Sequence, residues 1–218
     1  MLKFKERTTS WNNMMLAPGK TSSEHAKRKE LGFTDGLENF GTPILMAYVP
    51  LALLVLALSG NFEPIYLAAV LFSLAATAIG IFIFSFPFTL MAYVVARMLG
   101  GKATLGRLYY MVSLAAAPTF VFTIVINIAV MLLKSIMAEM SFPLAVTGIL
   151  QLAGDTVAIS VMLYGFYLLT LSISALYRFG KPKSVATWLV PTIVLVATGG
   201  LLFATVLLDV LNFLVKTL

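Results

Sequence analysis

The sequence predicts an all-α, polytopic integral membrane protein with five transmembrane helices, its N-terminus cytoplasmic and its C-terminus outside. Three observations predict it. Of 218 residues, 60% are hydrophobic and 11% charged, against roughly 45–50% and 25% in soluble domains, which is more apolar surface than one soluble core of this length buries. Charge-free runs cover residues 42–62, 64–96, 108–133, 156–177 and 184–208, and each exceeds the ~20 residues a helix needs to cross the hydrocarbon. Threading five spans from an inner N-terminus places thirteen of the fifteen Lys and Arg inside, as the positive-inside rule requires.

Residues 1–41 form a cytoplasmic N-terminal segment that carries half of the 24 charges. Thr21 with Glu24 has the spacing of a capping box for a short polar helix. Phe33, Leu37 and Phe40 then recur at i, i+4, i+7, the period of an amphipathic helix. With Trp11, Met14, Met15 and Leu16 upstream, that stripe either lies on the inner headgroups, with Lys27, Arg28 and Lys29 on anionic lipid, or packs against the membrane domain. The first apolar run begins far from the start and has no small-residue cleavage site, so no cleavable signal peptide is expected.

Residues 42–218 form the five-helix domain, with spans near 43–60, 65–98, 109–134, 154–177 and 185–212. The second is long, about 50 Å at 1.5 Å per residue. Pro87 predicts a kink in it, and Pro50, Pro118 and Pro191 place similar breaks in three others. Tyr93, Tyr109, Tyr110, Tyr177 and Trp188 fall near the inner loops, where an interfacial aromatic belt is expected. Ala76 with Gly80, Gly154 with Ala158 and Gly200 with Ala204 have the small-xxx-small spacing that permits close helix contact.

Catalytic and cofactor chemistry is largely excluded. There is no cysteine and a single histidine, His25, so no disulfide, zinc-cysteine site or thiol nucleophile is possible, most imidazole chemistry is removed as well, and no cofactor is expected. No H-E-x-x-H or G-x-S-x-G is present. The stretch Leu152-Ala153-Gly154-Asp155 lacks the first glycine of an intramembrane aspartyl protease, and a single carboxylate does not supply an acid and a base. Residues 100–104 lack the spacing of a phosphate loop, and the basic balance is explained by inner loops without nucleic acid.

Asp155 remains as a candidate intramembrane polar site, with Gln151 one turn away and Thr156 beside it. A helix beginning near Gly154 makes Asp155 a first-turn residue at the outer interface, and this is the expectation. A helix beginning at Pro143 instead carries the carboxylate about 18 Å along its length, where a charge marks a pathway or a pairing site. The apolar run 140–154 lies along the outer interface in the first case and extends the fourth helix in the second.

Further motifs carry a family resemblance. They are Leu16-Ala17-Pro18-Gly19-Lys20, Gly100-Gly101-Lys102-Ala103-Thr104, Ala117-Pro118, and Tyr177-Arg178-Phe179-Gly180-Lys181-Pro182-Lys183-Ser184-Val185-Ala186 leading to Pro191. In this order, among five spans, they resemble the Yip-one family of Ypt/Rab-interacting membrane proteins, from about Trp11 to Phe213. The resemblance implies a five-helix membrane protein without enzymatic activity. Eukaryotic relatives sit in ER and Golgi membranes and bind lipid-modified Rab GTPases, and prokaryotic relatives share the domain. The acidic D-L-[WY]-G-P-type motif is only echoed by Phe40-Gly41-Thr42-Pro43, so no Rab-contact residue is carried over and a prokaryotic, cell-membrane member is expected. The sequence reading is a non-enzymatic scaffold whose Lys102, Arg107, Lys181 and Lys183 meet anionic headgroups, a protein partner or a second copy. The alternative is a small transporter or channel built around Asp155.

Overall fold

The computed structural model describes residues 4–28, 30–43, 49–50, 72, 83–140 and 143–217. Among the described residues there are seven helices: α1 (Phe4–Leu16), α2 (Pro18–Lys27), α3 (Phe33–Pro43), α4 (Ile83–Met98), α5 (Leu105–Glu139), α6 (Leu144–Tyr177) and α7 (Lys181–Thr217). The expected span near 43–60 and the first part of the span 65–98 lie outside the described residues, apart from single positions. Helix α4 runs through Pro87, and α5 and α7 contain Pro118 and Pro191 without ending there.

The fourth span starts ten residues earlier than expected. Pro143 precedes α6 in an extended conformation (φ −57°, ψ 141°), and Leu144 to Gly154 contains no residue that stops a helix. Good helix formers such as Leu, Ala and Gln therefore carry the turn-by-turn hydrogen bonding straight through. The run 140–154 is thus a turn followed by helix, and Asp155 is about 17 Å along α6 instead of in its first turn.

Helices α5 and α6 form an antiparallel hairpin whose register is set by glycines. A Cβ on Gly154 would stand 2.6 Å from Val130, and one on Gly165 would stand 3.0 Å from Thr119. These contacts are eleven residues apart on both helices, in opposite directions, so the two rods stay in contact for three turns. Ala76, Gly80 and the Ala204 side chain lie outside the described residues.

The N-terminal segment is folded onto the end of the bundle where the basic residues collect. Helix α3 lies along α5, α2 along α6, and α1 against both α2 and α5. The stripe of α3 faces protein: the Phe33 and Tyr109 rings are 4.5 Å apart, and Phe40 meets Tyr109 and Phe120 at 5.8 and 6.2 Å. The capping box is not formed, because α2 begins earlier, at Pro18, whose fixed φ suits a first helical position. Thr21 is then inside the helix, and its hydroxyl donates to the Ala17 carbonyl at 3.0 Å. Tyr109 and Tyr110 are only 1% and 2% exposed, so these two rings belong to the core and not to an interfacial belt.

Burial divides the long helices in two. At the basic end, Leu108, Met111, Leu114, Leu168 and Ile173 are fully buried together with Ser113, Ser172, Ser184 and Thr187. Further along, Phe122, Val125 and Leu133 of α5, Ile149, Leu152 and Leu163 of α6, and Ile193 and Val196 of α7 are exposed. Contiguous apolar surface of this extent on a folded bundle is a lipid-facing signature. By length and composition, Leu105–Thr123 and Ala145–Tyr177 each suffice to cross a membrane.

The fit of α3 on α5 depends on Gly36, where a Cβ would lie 2.5 Å from the Tyr109 ring and 3.2 Å from the Tyr110 backbone. Gly36→Ala should lower stability in detergent by about 1–2 kcal/mol, because overpacking outweighs the gain in helix propensity. Gly41→Ala, with nothing within 4 Å, should be neutral or stabilising. Thermal unfolding of the two full-length variants checks both, and equal behaviour would contradict the seating of α3.

Candidate functional site

Two polar assemblies stand out. The first occupies the basic end. The Tyr110 hydroxyl and His25 Nδ1 are 2.6 Å apart, Asn39 Nδ2 donates to Ser113 Oγ at 3.3 Å, and the Ser22 and Ser172 hydroxyls meet at 3.4 Å. Arg107 Nη2 donates to the Ala26 carbonyl, and the Tyr164 hydroxyl donates to the Met15 carbonyl at 2.7 Å. Each bond joins the N-terminal helices to α5 or α6 and satisfies a group that would otherwise be costly to bury. Burial, with the Arg28 charge nearby, lowers the His25 pKa from 6.5 to about 4 against a smaller opposing effect of Glu24.

The two loops that carried the family motifs meet beneath this network. A Cβ on Gly101 would stand 2.6 Å from the Tyr177 ring, and Tyr177 stacks on Phe179 at 5.2 Å. Arg178 takes a left-handed conformation (φ 57°) that ends α6, and Ser174 holds the returning chain by donating to the Phe179 carbonyl at 2.8 Å. Of the sequence-predicted surface contacts, Lys102, Lys181 and Lys183 are exposed, with Lys183 Nζ 5.8 Å above the Phe179 ring. Arg107 differs, being half-buried and committed to Ala26.

The second assembly joins α5 to α6 far from the basic end. Gln151 Nε2 donates to Asp155 Oδ1 at 2.7 Å, and Lys134 Nζ donates to Gln151 Oε1. The structure therefore brings Gln151 and Asp155 together, as their spacing suggested. It leaves Thr156 out, since its hydroxyl donates to the Leu152 carbonyl on its own helix at 2.8 Å. Lys134 was not among the expected site residues. The signal was present, because only Lys134, Glu139 and Asp155 are charged between residues 108 and 177, and intramembrane charges pair.

Both assemblies give measurable consequences. An unfolded chain protonates His25 near pH 6.5 and the folded chain only near 4, so the folded state is favoured above 6.5 and loses that advantage as pH falls from 6.5 towards 4. With allowance for screening, the loss should be roughly 1–2 kcal/mol. Thermal unfolding at pH 7.5 and pH 5 measures it, and His25→Gln should remove that part of the difference. Lys134→Met should destabilise the α5–α6 hairpin by roughly 1–2 kcal/mol, and adding Asp155→Leu should recover most of it. A double-mutant cycle without coupling would contradict the chain of contacts.

Comparison with family models matches the Yip1 domain over residues 13–204. Searches among curated proteins and among solved structures return no match to this chain. The matched region begins in α1, takes in the packed N-terminal helices, and ends inside α7, so the docked segment and the long apolar helices fall within one domain. The chain belongs to the Yip1 domain family, a family of membrane proteins.

Proposed function

We propose that this protein is a non-enzymatic membrane organiser of five spans, with residues 1–41 and the basic loops cytoplasmic and the C-terminus outside. The observation that carries this reading is the packing of α1–α3 onto the basic end of α5 and α6. Helices of 34–37 residues are about 50 Å long or more, whereas the hydrocarbon is about 30 Å thick. The exposed apolar parts fill the bilayer, and the rest projects inwards as a folded platform with a polar core. Lys102, Lys181 and Lys183 cover its tip, where they meet anionic headgroups, a protein partner or a second copy. A transport pathway at Asp155 draws no support from the geometry, in which the carboxylate is engaged by Gln151 and, through it, by Lys134.

The absence of native cysteine makes a direct test simple. Single cysteines at Lys181 and at Met140 should react with a membrane-impermeant thiol reagent from opposite faces of sealed vesicles. A photo-crosslinker at Lys102 in native membranes should capture a second protein, and Lys181→Glu with Lys183→Glu should reduce the yield several-fold. Labelling of both cysteines from one face would refute the topology, and recovery of the lone chain would refute the organiser role.

A further inference from the structure

Helix α4 carries an apolar stripe outside the lipid-facing surface. Leu90, Val94 and Met98 follow one another at four-residue spacing on one side of the helix. Thr89, Ala92 and Ala96 on the other side are fully buried, and Ala92 belongs to the core around Leu108 and Ile173. The stripe itself is 42%, 52% and 82% exposed at its three positions. Just before it, the Ser85 and Tyr109 hydroxyls are 3.2 Å apart and the Phe86 and Phe33 rings 5.9 Å apart. Both partners belong to the folded basic end, and from there the stripe runs about 12 Å further towards the basic loops.

On α6, by contrast, the exposed large apolar side chains stop at Tyr167, about 15 Å before that helix ends. A bilayer deep enough to cover the α4 stripe would also immerse Arg97 and Lys102. Exposed apolar surface outside lipid marks a protein contact, and the charges beside it define the partner. Gly100 (φ 94°) ends α4, and Gly101 turns back to donate its N–H to the Ala96 carbonyl at 2.8 Å, so Lys102 follows directly on the helix end. Arg97 lies over the Tyr93 ring and donates to the Tyr93 hydroxyl at 2.9 Å and the Gly101 carbonyl at 3.2 Å, which fixes its charge beside the stripe. Both cations are exposed, and no residue from 64 to 138 is acidic. A second copy seated here by two-fold symmetry would set these cations against their own counterparts. The complement is therefore apolar along its centre and acidic along its edges.

We propose that the Leu90–Val94–Met98 stripe docks an amphipathic helix of a partner protein, one whose apolar face is flanked by Asp or Glu that meet Arg97 and Lys102. This supplies the partner of the organiser reading and rests on its projecting platform. The test uses the full-length protein in phosphatidylcholine nanodiscs with benzoylphenylalanine introduced at Val94. Two synthetic helical peptides share a leucine stripe and differ in carrying glutamate or lysine beside it. Light should attach the glutamate peptide at least about tenfold more than the lysine peptide. Leu90→Gln should reduce that attachment several-fold, and Lys102→Glu should narrow the preference between the peptides. Thermal unfolding should stay unchanged in both variants, because both side chains are exposed.

Attachment of neither peptide, equal attachment of both, attachment unchanged in the two variants, or a chain-to-chain adduct at Val94 would overturn the proposal and leave the platform standing. An adduct between Val94 and phosphatidylcholine would place the stripe in the bilayer, and would overturn both the proposal and the projecting platform.

Discussion

The Tyr109–Tyr110 pair on α5 is the constraint on which the rest of the structure depends. Successive residues on a helix point about 100° apart, so two adjacent tyrosines address two different neighbours at one level. Tyr109 takes Phe33 and Phe40 of α3 against its ring and shares a 3.2 Å contact between its hydroxyl and that of Ser85 on α4. Tyr110 reaches His25 on α2. Gly36 lets the α3 backbone come down on both. One dipeptide thus fixes three helices from distant parts of the chain. Without it, the polar segment at the N-terminus has too little apolar surface to offset its own conformational entropy.

The same pair explains why the bundle has a polar core at one end and none visible at its lipid-facing surface. At the basic end the polar side chains are buried between helices, so each bond that joins two helices satisfies groups that are costly to leave unpaired and specifies the packing. Asn39, Ser113, Ser22 and Ser172 are of this kind, all neutral and all bonded. Along the apolar stretches the hydroxyls turn back on their own helices instead: Thr123 to Thr119, Thr156 to Leu152, Ser160 to Thr156 and Thr198 to Val194. Such bonds satisfy the donor without a partner helix, which suits side chains whose other neighbour is lipid.

The helical class and the stretches that became α5, α6 and α7 were legible because charge-free runs leave little choice of structure in an apolar solvent. The start of α6 was not. Asp155 interrupts the run, and the sequence does not say that Gln151 and Lys134 tolerate it there. The docking of α3 was half legible: Phe33, Leu37 and Phe40 define an apolar face, but lipid and protein attract such a face equally well. What decides between them is the surface of α5, and its tyrosines read as an interfacial belt until their partners are known. His25 was set aside as a lone imidazole. Its partner is 85 residues away in sequence, and nothing local points to it.

The Lys134–Gln151–Asp155 chain shows why a neutral residue stands between two opposite charges. Side chains on facing helices reach one another only at the register the glycine contacts allow, and that register sets Lys134 opposite Gln151 and not opposite Asp155. An amide carries an acceptor and a donor on one carbon, so Gln151 can accept from the ammonium and donate to the carboxylate one turn away. Glutamate at 151 would accept from Lys134 but repel Asp155, and leucine would leave both charges unmatched in an apolar setting. The amide turns a misregistered ion pair into a continuous hydrogen-bonded chain, which lets the hairpin keep its close glycine packing and its two charges together.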